Sequence, residues 1–269
     1  MTELQKRLLE MLGFFHDFCK LHSLTYYTVG GTTLGVARHQ GFIPWDDDID
    51  VGMPRDDYQR FIHLFDKNIK QQYVVETIEN GYRNYCYPYA KLYDTRTTLI
   101  ENTRKQFKRG IYIDIFPLDG IGNTKEEAIR NYSAIDKKKK LLTLRSVKID
   151  NKRSMYKNLI LRIVQIVPDS IVNEQEICRQ IEKLCVKKDF NTCAFVGNLV
   201  GAWGQKEIMG RELFGQPKLY KFEDIMVYSQ ENLDGYLSQL YGDWRKLPPK
   251  ERQVSHHDHI LNLNKSYLE

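Results

Sequence analysis

The chain has 269 residues, 42% of them hydrophobic and 28% charged, which supplies enough apolar material for a packed core and argues against disorder. Forty Lys and Arg against thirty-five Asp and Glu leave +5, too small an excess to mark a nucleic-acid binder. No apolar run approaches the roughly 18 residues that cross a bilayer, so no membrane span is expected. Residues 1–7 lack the apolar core of a signal peptide. The five cysteines, at 19, 86, 178, 185 and 193, contain no CxxC pair, so neither a disulfide framework nor a zinc ribbon is expected and the expected compartment is the cytoplasm.

Leu4, Leu8, Met11, Leu12, Phe15, Phe18 and Cys19 recur at spacings of three and four, which predicts an amphipathic helix over about residues 3–22. Thr25 to Val29 reads as a short strand closed by Gly30 and Gly31, after which Thr32 or Thr33 is expected to cap a helix reaching about His39. Residues 48–52 alternate polar and apolar, the pattern of a half-buried strand. Pro54 then opens a helix with Tyr58, Phe61, Ile62 and Phe65 as its buried stripe. Residues 73–77, 85–92 and 111–116 predict three further strands. Beyond Gly120 the texture turns helical over 124–145 and 154–190, followed by short helices and loops. The expected organisation is therefore an α/β lobe over 1–120 and a mostly helical lobe over 121–269 that closes a cleft without being an independent domain.

The acidic run Asp46-Asp47-Asp48-Ile49-Asp50 holds the strongest chemical signal. Strand alternation puts Asp48 and Asp50 on one face, with Asp46 next in line, while Ile49 and Val51 face the core. Adjacent carboxylates repel unless a cation lies between them, and hard oxygen ligands suit Mg²⁺ or Mn²⁺. Asp114 stands alone in the apolar run 111–118, where an unpaired carboxylate is costly; beside Asp48 and Asp50 it would complete a metal-binding triad or act as a base. A solvated acidic turn, with Asp114 paired to an arginine, is the alternative from these residues alone. Gly30, Gly31, Thr32 and Thr33 at a strand-to-helix turn would offer backbone N–H groups to phosphate. No GxxxxGK[ST] loop is present, which disfavours a P-loop kinase.

A strand, a Gly-Gly turn, a helix, a D-h-D strand and a later Asp match the layout of a nucleotidyltransferase (polymerase-beta-like) core. The run GGTTLGVARHQGFIPWDDDIDVGMPRDDYQRF (30–61), with IDIFPLD (113–119) and YGDWRKLPPKERQVSHH (241–257), resembles the LicD family of bacterial phosphotransferases, related to fukutin. The resemblance implies metal-dependent transfer of phosphocholine from CDP-choline onto teichoic acid, lipopolysaccharide or capsule sugars, with CMP released. Relatives that use CDP-ribitol or CDP-glycerol make a polyol phosphate donor the nearest alternative. A catalytically silent glycan- or membrane-binding module, or a nucleotide transferase, is the rival of another class. The resemblance carries metal ligation onto Asp46, Asp48 and Asp50 and the later acid onto Asp114, and it also covers Arg38 and His39. Arg38 has a planar fork that suits phosphate, though a surface ion pair serves equally.

Tyr85, Tyr87 and Tyr89 would alternate on one strand face, as a cation–π cage for choline or as an ordinary tyrosine-rich strand. Lys91 would follow on that face and neutralise phosphate charge. Asp243 is expected as a substrate or metal contact or as a cap, and His256, His257 and His259, too closely spaced for a zinc site, in a supporting role. Between 137 and 162 ten basic residues face a single acid, Asp150, with an apolar stretch at 159–167. Residues 137–167 are thus expected either to lie on an anionic membrane, as a lipid-linked glycan acceptor would require, or to form a solvated helix with its apolar side in the core.

Overall fold

The computed structural model describes residues 1–67, 72–81, 85–106, 108–150, 153–254 and 260–269. Helix α1 (Glu3–Leu21) starts in a capping box, where the Thr2 hydroxyl accepts from the Gln5 N–H and the Gln5 side chain accepts from the Thr2 N–H. Its apolar stripe of Leu8, Met11, Leu12, Phe15 and Cys19 is buried, as its spacing predicts. β1 (Tyr27–Thr28) leads directly into α2 (Gly30–His39), and β2 (Asp50–Pro54) into α3 (Arg55–Lys67). β3 (Tyr73–Glu76), β4 (Ala90–Asp94), β5 (Thr98–Ile100), β6 (Lys108–Arg109) and the long β7 (Tyr112–Gly122) follow. Next come α4 (Lys125–Ser146), α5 (Met155–Ile166) and α6 (Glu174–Cys185), and then β8 (Phe195–Gly197), β9 (Met209–Gly210), β10 (Lys218–Phe222), β11 (Ile225–Ser229), α7 (Leu233–Tyr241) and β12 (Ile260–Asn262).

The main sheet runs β1-β2-β7-β4-β3, with β8 joined to the far end of β7 and β9 to β8. β2 and β7 are parallel and in register from Asp50 opposite Asp114 to Pro54 opposite Leu118; β4 flanks β7 antiparallel, with Lys91 opposite Asp114. One core lies between α1, α3 and the sheet, and a second between the sheet and α4, α6 and α7. The break expected near 120 falls inside β7, which continues to Gly122 and pairs with β8 through a bulge. No helix among the described residues is long and apolar enough to cross a membrane.

Four local expectations are corrected. Residues 85–89 are not strand; the ladder starts at Ala90, and Tyr85 turns inward, fully buried, to donate to the Tyr89 carbonyl. The residue preceding α2 is Val29, with no side-chain cap, so neither Thr32 nor Thr33 caps it. The predicted 154–190 helix breaks between α5 and α6, where Pro168 cannot continue the ladder. The C-terminal region contains strands as well as short helices; β10 and β11 form a hairpin turning at Glu223, φ +54°. Cys178, Cys185 and Cys193 are buried free thiols, as expected.

Candidate active site

The acidic loop is held from three sides. α2 ends on Gln40 in the left-handed region, and Gly41 packs where any Cβ would strike the Glu223 side chain. Glu223 accepts from the Phe42 N–H, so the β10–β11 turn fixes the exit from α2. Gln5 of α1 donates to the Asp46 carbonyl. The loop then reaches β2, where the Asp50 N–H donates to Thr32 Oγ1 at 2.8 Å and ties the metal-strand candidate to the first turn of α2.

The register of β2 and β7 places Asp50 and Asp114 side by side, and both line a cavity of about 870 Å³ together with Asp48 and Gly30. Asp48 lies just before β2, yet it reaches the same cavity. Asp46 is near: a Cβ on Gly31 would lie 2.8 Å from Asp46 Oδ2, and one on Gly30 3.3 Å from Asp50 Oδ2. These two glycines leave the room the carboxylates occupy, and Gly30 also needs its φ of +55°. The Asp50 carboxyl is pushed well up, first by burial and then by the charges of Asp48, Asp114 and Asp46. Burial likewise raises Asp114 to about 6, against the pull of Lys91. So much negative charge around one ammonium fits a divalent cation chemically. Among the described residues, however, no group of three such side chains is drawn together as a ready ligand set.

Lys91 is 1% exposed and bonds Asp114 Oδ1 at 2.8 Å, with Glu101 at 3.6 Å. Its ammonium lies 3.3 Å from the centre of the Tyr112 ring and 4.3 Å and 5.7 Å from those of Tyr87 and Tyr89. Tyr87 also donates to Glu101. Two of the three expected cage tyrosines therefore surround a cation of the chain itself, while Tyr85 lies in the core. Tyr89 alone of the three walls the carboxylate cavity.

Other expected residues lie elsewhere or serve differently. Thr33 is fully buried, bonding the Thr28 hydroxyl and Gln230, and cannot meet a phosphate. Thr32 is committed to Asp50. The Gly30 N–H donates to the Tyr236 hydroxyl, leaving Gly31 and Thr32 N–H at the open first turn of α2. Arg38 is not in the cavity wall; it donates to the Trp244 carbonyl and joins α2 to the segment after α7. His39 packs edge-on to Trp45. Asp243 is exposed and its carbonyl accepts from the Lys246 N–H. His256, His257 and His259 fall outside the described residues.

The cavity is also lined by Tyr132, Asn198, Trp203 and Glu207, which the sequence reading did not single out, and by Lys139 and Lys140, which it placed in the basic segment and not at the site. Lys139, inside the tetralysine run, donates to the carbonyls of Gly201 and Leu199 and to the Tyr132 hydroxyl, and burial lowers its pKa. Position offered a signal: Lys139 follows Tyr132 by seven, two turns along the same face of α4. Buried Glu207 accepts from the Trp203 N–H, and burial raises it from 4.5 to about 7. Between those values the folded chain keeps a proton that the unfolded chain has released. The stability it adds is therefore complete below about pH 4.5 and lost as pH rises through about 7. From pH 5 to pH 8, urea unfolding of Glu207→Gln is expected to move in the variant's favour relative to wild type by about 2 kcal/mol. A second cavity of about 680 Å³ shares Tyr89, Lys139, Thr143 and Val200 with the first.

Comparison with known proteins adds the decisive observation. Residues 23–153 match the family described as LicD/FKTN/FKRP, nucleotidyltransferase domain. Along 260 residues, 96% of both chains, this protein is 32% identical to the lipopolysaccharide cholinephosphotransferase LicD of Haemophilus influenzae. The chain belongs to the LicD family. It is thus a LicD-family transferase, as its motifs predict. Shorter matches include an uncharacterized protein of Rickettsia typhi, 35% identical over 68 residues, which are 25% of this chain and 19% of that one. One from Rickettsia prowazekii is 43% identical over 49 residues, 18% of this chain and 17% of that one.

Proposed function

We propose that this LicD-family transferase moves phosphocholine from CDP-choline to a hydroxyl of a lipopolysaccharide or related cell-surface glycan, releasing CMP. The observation that carries the reading is the cavity lined by Asp48, by Asp50 and Asp114 of the parallel β2–β7 pair, and by Lys139 and Lys140. The full-length similarity to a lipopolysaccharide cholinephosphotransferase favours choline over a ribitol or glycerol phosphate donor, and favours an enzyme over a silent binding module.

The acceptor oxygen attacks the phosphorus that bears choline, the bond from that phosphorus to the bridging oxygen breaks, and CMP departs with the electron pair. Asp114 would take the hydroxyl proton, and the ammonium of Lys91 beside it favours the charged form. Asp48 and Asp50, with Asp46 behind them, would hold Mg²⁺ or Mn²⁺, which when bound supplies charge neutralisation for the diphosphate. Lys139 and the open first turn of α2 supply further positive potential for the donor phosphates.

The test is CMP release with Mg²⁺ and CDP-choline, CDP-ribitol or CDP-glycerol supplied separately alongside a lipopolysaccharide acceptor. CDP-choline is expected to give the highest kcat/KM; a polyol donor giving a higher one would replace the choline reading. Lys139→Gln keeps the length and polarity of the side chain without its charge. It is expected to lower kcat/KM for CDP-choline by about 10²-fold. An unchanged value would remove Lys139 from the donor site.

A further inference from the structure

Helix α5 turns its apolar side to solvent. Met155, Leu159, Ile163 and Ile166 are 89%, 55%, 60% and 81% exposed, and Tyr156 beside them is also exposed. At about 100° per residue these five side chains share one arc of about 100°. The expectation that the apolar side of this segment is core therefore fails for α5, where Leu161 is its buried residue.

The orientation is fixed by bonds on the opposite face. Asn158 donates to the Asp150 carbonyl, and Gln165 to the carbonyls of Leu144 and Val147. Fully buried Arg145 donates to the carbonyls of Val164 and Val167 at the end of α5, and Arg104 to that of Gln165. Rolling the stripe inward would break all of these.

Of the two acids that flank α5, Asp150 and Asp169, the second is paired with Lys105 and Arg145. α5 contains no acidic residue, and Lys157 and Arg162 are exposed and form no ion pair among the described residues. Arg153 stands exposed just before the helix. Three of the four lysines of the tetralysine run are engaged elsewhere: Lys138 bonds Gln180, Lys139 faces the cavity and Lys140 pairs with Asp136. An acid-free helix with an exposed apolar arc and unpaired cations complements an anionic lipid interface, where apolar side chains sink below the headgroups and cations meet their phosphates.

We propose that α5 is an interfacial helix that seats this protein on an anionic bilayer. Ile149, Asp150 and Arg153, just ahead of α5, wall the second cavity, so seating brings that cavity, which shares a wall with the carboxylate cavity, to the lipid surface. The inference goes beyond the proposed reaction and needs neither donor nor acceptor to be tested.

The full-length protein is sedimented with vesicles of phosphatidylcholine alone or mixed with phosphatidylglycerol. Binding is expected to the mixed vesicles, with a loss of about tenfold or more for Leu159→Glu/Ile163→Glu. Lys157→Gln/Arg162→Gln is expected to lose the preference for phosphatidylglycerol. Thermal melting should be unchanged in both variants, since all four side chains are exposed. Absence of binding, or equal binding by the Glu variant, overturns the proposal. So does light scattering that shows a dimer which the Glu variant splits, because a second copy would then cover the stripe. CMP release is measured separately with acceptor in solution and is expected to be the same in all three proteins, so loss of vesicle binding and loss of the reaction are distinguishable.

Discussion

Asp50→Asn is expected to lower CMP release by about 10²-fold or more while raising the melting temperature of the metal-free protein. Both effects come from one carboxylate. Asp50 faces three others, Asp46, Asp48 and Asp114, and Lys91 acts in the opposite direction as the nearby cation. That crowding destabilises the metal-free fold and, on the proposed reading, attracts the cation that the reaction uses. Asparagine keeps the shape, removes the charge and leaves Asp114 with Lys91 for itself. Each kcal/mol so recovered is worth about 2–4 °C in a domain of this size. Calorimetry in EDTA reads the gain, and repetition in Mg²⁺ should raise wild type more than the variant, since ligand binding to the native state is what stabilises it. Full activity in Asp50→Asn, or a lower melting temperature in EDTA, would refute the assignment. Asp48→Asn, at the same cavity, is expected to show the same loss of activity.

The second large effect is structural. Arg55, at the start of α3, clasps Asp119 of β7 through two bonds of 2.8 and 2.6 Å, and Glu182 of α6 approaches to 3.6 Å. Asp119 is fully buried. Arg55→Leu strands its charge, and urea unfolding is expected to show a loss of about 3–5 kcal/mol. Adding Asp119→Leu should recover most of it, because the remaining site is then apolar on both sides. A small loss in the single variant, or no recovery in the double, would show that the clasp is not the seam joining α3, α6 and β7.

The parts of the site legible in the sequence were those written into strand alternation. Ile49 and Val51 against Asp50, and Ile113 and Ile115 against Asp114, announce two half-buried strands whose odd members are acids. The tyrosines between 85 and 89 obeyed the same alternation and misled. Pro88 cannot donate to a ladder, and burying Tyr85 with its hydroxyl on the Tyr89 carbonyl bends the chain before β4 begins. Lys139 was hidden because four consecutive lysines look alike in one dimension, whereas on α4 their side chains point to four directions. The β10–β11 hairpin went unseen because Glu223, not the customary Asn or Gly, takes its left-handed turn. That hairpin matters to the site, since Glu223 secures the residues leading into the acidic loop.

β1 is two residues long, and its stability is borrowed from far along the chain. Thr28 shares its hydroxyl with Ser229, and the Gln230 side chain donates to the Thr28 carbonyl, contacts that span some 200 positions. Tyr236 holds the Gly30 N–H in the same way. During synthesis the glycine turn therefore cannot settle until the chain beyond residue 236 has cleared the ribosome. The acidic loop is made early and organised last. High contact order of this kind slows folding and leaves a half-made chain to chaperones. It also keeps a truncated product, released before that point, from presenting an assembled carboxylate cavity.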